Sequence, residues 1–384
     1  MPSQDGKYKG VKGHGNRQGL GRLRRANTQN PARITGLERQ DEDGEVFDRL
    51  TTKSGSSHSG ESLLARFNRV ARSPASAAGL HGVVTGFSGA LIRVLGVDGV
   101  DLPCTVRQAL KKQIGGVKNP LCVGDVVHYL PGDRPLEDDT GVITGIEPRR
   151  NQLERADSHN RSLIHVFAAN LDCLIIVSSV GAPEFKPGLI DRYLVIAGAN
   201  AIPAVVVINK SDLADATLAR DLYRRLGIPV YLTCASRGPA EAGVRELGAF
   251  LLGKTCVFAG QSGVGKSSLI NALFPSLAAR TGTVALAGHG RHTTTSAVAY
   301  RLPGGGQLVD SPGVRECAIT GLSAQAVALQ YPEFAACQGL CRFTNCTHLH
   351  EPECAVRAGL AAGTIRPSRW ESYRSIVTED LAAS

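Results

Sequence analysis

The sequence predicts a multidomain chain: a small N-terminal β-barrel of the OB-fold type, a central α/β P-loop domain in circularly permuted order, and a mainly helical C-terminal domain organised by metal-ligand residues. Three observations predict it. Short β-branched runs between Gly and Asp turns fill 81–148. Longer apolar runs alternate with helical spacing over 171–310 around a Gly260–Ser267 loop, and Cys341-x4-Cys346-x-His348-x5-Cys354 follows.

Residues 1–78 come first. Between 1 and 40, nine Lys or Arg stand against Asp5 and Glu38, so +7 of the net charge of +9 falls in the first tenth of the chain. Few apolar residues separate these charges, which reads as a basic, largely disordered arm followed by a Ser-rich linker. Such arms neutralise nucleic-acid phosphates and release counterions. A solubilising tail is the plainer alternative.

In 79–150 the runs Val83-Val84, Leu91–Val94, Gly124–Tyr129 and Gly141–Ile146 imply about five short strands, the signature of a small barrel. An OB-fold is favoured over an SH3-like barrel. Oligonucleotide binding on one face stands beside simple packing against the neighbouring domain.

The period changes in 151–320. Leu171–Ser178, Ala204–Ile208, Val230–Thr233, Thr255–Ala259, Ala297–Arg301 and Gln307–Asp310 read as strands, with helical spacing at Ile190–Ala199, Leu218–Leu226 and Lys266–Leu273. Strands apolar on both faces and alternating with helices imply a mostly parallel sheet. Ligands of such sheets bind beyond the carboxyl ends of the strands, where Asn209 and Gly260 fall.

Gly260-Gln261-Ser262-Gly263-Val264-Gly265-Lys266-Ser267, with Ser268 next, has the GxxxxGKS spacing between a strand and a helix. Glycines let backbone N–H groups face phosphates, the helix start adds its positive end, Lys266 reaches the β and γ phosphates, and Ser267 serves Mg²⁺. Asn209-Lys210-Ser211-Asp212 is a guanine-reading motif: a buried Asp212 carboxylate accepts both the N1 hydrogen and the 2-amino hydrogens, which adenine lacks. Cys234-Ala235-Ser236 takes the place of the usual Ser-Ala-Lys, and only the Ala235 N–H is read as a base contact. In Gly290–Thr295, Thr294 is read as the residue completing the Mg²⁺ shell, with Thr293 and Thr295 one step away. Asp310-Ser311-Pro312-Gly313 supplies a water-mediated Mg²⁺ contact at Asp310 and a γ-phosphate contact at the Gly313 N–H. Position 314 is valine where Ras-like enzymes carry a water-orienting glutamine, so turnover unaided should be slow. His292 is the candidate for that role, with a plain hydrogen-bonding histidine as its alternative. The guanine motif precedes the phosphate loop by some fifty residues. An ordinary P-loop GTPase has the reverse order, so this one reads from the fourth and fifth motifs to the first, second and third.

Within 321–384, three thiolates and one imidazole, Cys341, Cys346, His348 and Cys354, make a closed tetrahedral set for one structural zinc. Cys337 and His350 are spare ligands. A small segment with little core needs such a metal to be rigid. Cys104, Cys122, Cys173 and Cys256 lie in strand-like runs and read as core residues.

Composition narrows the class further. A 42% hydrophobic share over 384 residues supports more than one core. Tyr193–Ile208, the most apolar stretch, contains Asn200 and Pro203 and falls short of a membrane span. Met1–Gly10 lacks the apolar centre of a signal peptide. Ten cysteines in so long a chain are not a disulfide framework, so a reducing cytoplasm is expected; with no membrane span in view and nothing pointing to association, the expectation is a soluble monomer.

The basic arm, barrel, permuted motifs and Cys/His knuckle together resemble the RsgA (YjeQ) family of small-ribosomal-subunit biogenesis GTPases. The resemblance covers roughly 80–375 and is carried by Ile190–Val195, Phe258–Leu269 and Asp310–Glu316. It implies GTP and GDP as nucleotides, contacts with the 30S subunit and its 16S rRNA, and hydrolysis stimulated by that subunit late in its maturation. A GTP-regulated RNA-binding module with negligible turnover is the alternative, and an ATP-dependent phosphotransferase is disfavoured by Asp212.

Overall fold

The computed structural model describes residues 52–53, 63–71, 79–113, 121–132, 140–156, 163–276, 297–311, 314, 319 and 322–380. The basic arm at 1–40, His292, Thr293, Thr294, Thr295 and Gly313 lie outside the described residues.

A two-residue strand β1 (Thr52–Lys53) and a helix α1 (Leu63–Ala71) precede the barrel. The barrel strands are β2 (Leu80–Ser88), β3 (Leu91–Gly96), β4 (Asp101–Val106), β5 (Val126–Leu130) and β6 (Gly141–Ile146), with a short helix α2 (Gln108–Gln113) after β4. They close in the order β2-β3-β4-β6-β5. The β4–β6 pair is parallel and the other four are antiparallel. Alternation sends Val84, Ile92, Val94, Cys104, Val127 and Ile143 inward, and Phe67 and Ala71 of α1 pack onto the same core. Strand β4 does not stand out in the sequence because Pro103 interrupts it. Pro103 faces Arg93 of β3.

Beyond the barrel, Arg149 is buried and ties three segments together. Its Nε and Nη2 donate to Asp125 at 2.6 and 2.8 Å, and its guanidinium lies 3.6 Å from the centre of the Phe67 ring. Burial works against that cation, but the Asp125 carboxylate outweighs it and the pKa is raised. A hairpin of β7 (Gln152–Ala156) and β8 (Leu163–Ala169) follows, with β1 paired on the outer edge of β8.

The central sheet has six strands. In chain order its elements are β9 (Cys173–Ser179), α3 (Pro187–Ala199), β10 (Ala204–Asn209), α4 (Thr217–Arg224), β11 (Val230–Leu232), α5 (Ala242–Leu251), β12 (Thr255–Ala259), α6 (Lys266–Leu273), β13 (Val298–Arg301) and β14 (Gln307–Asp310). The order across the sheet is β11-β10-β9-β12-β14-β13, parallel throughout except for β13. All seven residues of β9 are buried, as a central strand covered on both faces requires. Alternate residues serve opposite layers. Ile175, Val205 and Phe258 meet Val244 and Leu247 of α5 and Leu269 of α6, while Leu174, Val206 and Val257 meet Ile190 of α3 and Tyr223 of α4. Local signals set the helix starts: Pro187 sits in the first turn of α3, and the Glu241 carboxylate accepts the Val244 N–H at 2.8 Å to cap α5.

Four short α-helices, α7 (Ala324–Ala328), α8 (Pro332–Ala335), α9 (Ala355–Ala361) and α10 (Pro367–Ser375), and a π-helical segment (Ile376–Asp380) end the described chain. Val327, Tyr331, Phe334, Val356 and Tyr373 from this region belong to the same buried cluster as α3 and α4. The C-terminal segment therefore shares an apolar core with the nucleotide domain. That differs from the expectation that a metal alone would make it rigid.

Candidate nucleotide and metal sites

Asn209 ends β10 and Gly260 follows β12, with β9 between them, so both turns open at the carboxyl edge of one sheet. They touch. Asn209 is buried; its Nδ2 donates to the Val264 carbonyl at 3.0 Å, and its Oδ1 accepts from Thr233 Oγ1 and the Ala235 N–H, each at 3.1 Å. One side chain thus joins the guanine motif, the Cys234-Ala235-Ser236 loop and the phosphate loop. Lys210 adds a second link, its Nζ donating to the carbonyls of Gly263 at 2.7 Å and Ala182 at 2.5 Å.

The phosphate loop is glycine-dependent for a geometric reason. A Cβ on Gly260, at φ +141°, would stand 2.1 Å from the Val177 carbonyl oxygen, and one on Gly265, at φ +90°, would stand 2.4 Å from Asn209 Nδ2. Gly265 leads directly into α6, so the first helical N–H groups come from Lys266, Ser267 and Ser268. Lys266 Nζ donates to the carbonyls of Gly260 at 2.8 Å and Gln261 at 2.7 Å, closing the loop on itself. Gln261, Ser262 and Gly263 form the turn between strand and helix, and Val264 points into the core. Asp310 and Ser311 lie at the end of β14, the neighbour of β12.

Two features differ from the sequence reading. Asp212 is exposed rather than buried; the Cys234 thiol and the aspartate's own backbone N–H hold its carboxyl below the usual range. The Ala235 N–H, expected to meet the base, is directed at Asn209 Oδ1. Thr233, a partner of Asn209, was not singled out by sequence, although it directly precedes the Cys234 motif. Ser236 Oγ lies 3.2 Å from Cys234 Sγ. Val314 is buried, with its carbonyl accepting from Tyr193 Oη at 3.4 Å. An apolar, buried side chain there orients no water.

The knuckle residues Cys341, Cys346, His348 and Cys354 converge, their ligand atoms all within 4.8 Å of one another. His348 Nδ1 stands 3.6 Å from Cys341 Sγ and 3.4 Å from Cys354 Sγ, and the two sulfurs are 4.0 Å apart. A tetrahedral ion bonded at about 2.3 Å to sulfur and about 2.0 Å to nitrogen spaces its ligands about 3.5–3.8 Å apart. The donor set fits zinc. Burial lowers the His348 pKa, which favours the neutral imidazole that a metal needs. The Ala355 N–H reaches Cys341 Sγ at 3.4 Å, and Trp370 Nε1 donates to the His348 carbonyl at 3.1 Å, so the ligands are held from behind. The spare ligands stand apart: the Cys337 thiol turns to the Glu333 carbonyl at 3.6 Å, and His350 is exposed.

A guanine motif that precedes, and touches, a phosphate loop on one parallel sheet defines a circularly permuted GTPase. The RsgA GTPase family description matches residues 146–320. A Histophilus somni protein named small ribosomal subunit biogenesis GTPase RsgA is 39% identical over 288 residues, spanning 73% of this chain and 78% of the relative. A protein of the same name from Actinobacillus pleuropneumoniae serotype 5b is 40% identical over 278 residues, with 71% and 78% covered. The crystal structure of YjeQ from Thermotoga maritima is similar at a TM-score of 0.62 and 32% identity, covering 78% of this chain and 98% of that one. YloQ, described as a circularly permuted GTPase, gives a TM-score of 0.61 at 27% identity, with 82% and 99% covered. The chain belongs to the RsgA GTPase family and is a GTP hydrolase.

Proposed function

We propose that the chain hydrolyses GTP during late maturation of the 30S ribosomal subunit, in the cytoplasm, as a monomer that binds 16S rRNA. The observation that carries the nucleotide half of this reading is the bond from Asn209 Nδ2 to the Val264 carbonyl, which fixes the base-reading turn against the phosphate loop. In this reading Lys210, Ser211 and Asp212 hold guanine with the Cys234–Ser236 loop alongside, and Gly260 to Ser268 hold the phosphates. Backbone N–H groups and Lys266 bind charge that builds on the phosphate oxygens during transfer. Ser267, Thr294 and Asp310 would hold Mg²⁺, which when bound neutralises charge shared by the β and γ phosphates. Both Ser267, at the start of α6, and Asp310, at the end of β14, lie at the carboxyl edge of the sheet. Gly313 would contact the γ-phosphate and His292 would orient water.

The partner half rests on the relatives, which are named for small-subunit biogenesis. The barrel supports it: we read its closure order, with a parallel third-to-fifth strand pair, as OB-type, and OB-folds are frequent oligonucleotide binders. We divide the chain into the basic arm and linker (1–78), the barrel (79–150), the permuted domain (151–320) and a zinc-binding, mainly helical domain (321–384). Among the described residues no helix is long and apolar enough to cross a membrane. The test is GTP turnover with purified 30S particles, with 50S particles and alone. Acceleration by 30S only is expected; equal or absent acceleration refutes the ribosomal assignment while leaving the GTPase intact.

A further inference from the structure

A second group of metal-ligand side chains sits on the barrel, remote in sequence from the knuckle. His81 of β2 and His128 of β5 are directly paired across two antiparallel strands, and residues so paired project from the same face with Cβ atoms about 5 Å apart. On the other side of β5, His128 pairs with Gly145 of β6. Glu147 lies two positions beyond Gly145, so the strand period returns its carboxylate to that face. Gly145 puts no side chain in the way. The result is convergence: Glu147 Oε1 lies 3.1 Å from His81 Nδ1 and 3.5 Å from His128 Nε2, and the imidazole centroids are 4.4 Å apart at 61°. One ligand atom from each residue falls within a common 4.8 Å.

We propose that His81, His128 and Glu147 form a binding site for a divalent transition ion of the zinc type. Two neutral imidazoles and one carboxylate suit zinc and its neighbours, whereas Mg²⁺ and Ca²⁺ call for oxygen ligands. Around zinc, nitrogen and oxygen ligands at about 2.0–2.1 Å stand about 3.3 Å apart, and the two measured separations bracket that value. The fourth position faces solvent, since the His81 and Glu147 side chains are 57% and 37% exposed. This is an exchangeable site. His128 Nδ1 is buried with no hydrogen-bond partner, so the ring lacks the rear acceptor that usually orients a ligating histidine and is worth roughly 10–100-fold in affinity. Zinc therefore binds here more weakly than at the Cys/His knuckle, where Ala355 and Trp370 brace the ligands.

The test uses the full chain with its knuckle metal in place, titrated calorimetrically with zinc chloride against a weak zinc buffer. Wild type is expected to take up one further ion, and H81A, H128A and E147Q each to weaken that uptake at least tenfold. H81A is the decisive variant, because an exposed side chain can be removed without disturbing the barrel. A variant of the knuckle, C341S, should lose the tight ion and keep the weaker one. Absence of the further ion in wild type overturns the proposal. So does a further ion whose affinity is the same in H81A, which would place it on another histidine.

Discussion

Asn209 and Asp212 divide the labour of one turn, and the division is visible in their burial. Asn209 is 2% exposed and spends its amide on three loops, so it acts on the protein before any nucleotide arrives. Asn209→Ala leaves the Val264 carbonyl and two donors without partners in a dry environment. Each such group costs about 1–3 kcal/mol, and an overall loss of about 3 kcal/mol in urea unfolding is expected, together with weaker binding of a fluorescent GDP analogue. Asp212 is exposed, its carboxylate meeting the Cys234 thiol and its own N–H. Asp212→Asn should leave unfolding unchanged and invert base choice, because an amide nitrogen donates where the carboxylate accepted. Competition between GTP and xanthosine triphosphate reads this directly: GTP should lose more than roughly a hundredfold, and an unchanged preference would sink the assignment of Asp212 to the base. Glu351 shows a third kind of residue. Its carboxylate accepts the Thr347 N–H at 2.6 Å and the Leu349 and His350 N–H groups at 3.1 and 3.2 Å. Burial works to raise its pKa, but the Thr347 hydroxyl and N–H, its own N–H and that of His350 outweigh it and hold it at about 2. A carboxylate depressed on folding stabilises above its unfolded value of about 4.3 and loses that contribution as pH falls towards 2. The stability advantage of wild type over Glu351→Gln, followed through the single tryptophan, should therefore be full at neutral pH and vanish across that window.

At the scale of elements, the metal knuckle carries its own reporter. Trp370 of α10 donates to the His348 carbonyl, and Tyr373 Oη donates to the Thr347 carbonyl at 2.6 Å, so the helix reads the state of the ligand loop. Stripping the metal with a chelator should shift Trp370 emission and speed hydrogen exchange in 341–354. GDP binding should survive, because α7–α10 remain packed on the cluster that includes α3 and α4. Loss of binding on stripping would show that the metal supports the whole nucleotide domain. This shared core was not legible in the sequence. The phosphate loop, the guanine motif and the knuckle were, because each is a dense local pattern whose chemistry fixes its spacing. The strands β9, β10 and β12 were legible for a related reason, being continuous apolar runs. What escaped is long-range or masked by one residue: β4, broken by Pro103; the β7–β8 hairpin, whose strands carry Gln152, Arg155 and His165 in place of an apolar pattern; and the pairing of His81 with His128, which no spacing announces. The burial of Asp212 was misread because a four-residue motif carries no signal of exposure, and here it ends in a surface turn.

Helix α3 joins the nucleotide domain to the C-terminal helices. Asp191 is fully buried and accepts from Arg369 of α10 and from Tyr223 Oη at 3.0 Å, while Arg369 Nε donates to Glu333 at 2.6 Å and its guanidinium lies over the Tyr331 ring. Burial works against the guanidinium, but Asp191 and Glu333 outweigh it and keep Arg369 a cation. Removing one partner of such a pair leaves the other charge stranded, so Arg369→Met should cost about 3–5 kcal/mol, and adding Asp191→Asn should recover part of it. Two residues along the same helix, Tyr193 Oη donates to the Val314 carbonyl, directly after the Asp310–Gly313 motif. Helix α3 therefore touches the C-terminal helices at Asp191 and the segment beyond the Asp310–Gly313 motif at Tyr193. If the particle docks on the C-terminal helices, α3 would be the rigid element through which their displacement reaches the segment after Asp310. Tyr193→Phe separates this from mere stability, since it keeps the ring and deletes the hydrogen bond to the Val314 carbonyl, worth about 1 kcal/mol, a factor of roughly five in rate. GDP affinity and unaided turnover should stay as they are, and the kcat reached with saturating 30S particles should fall about fivefold. An unchanged stimulated kcat would mean that the particle acts without α3 and that α3 is only a support.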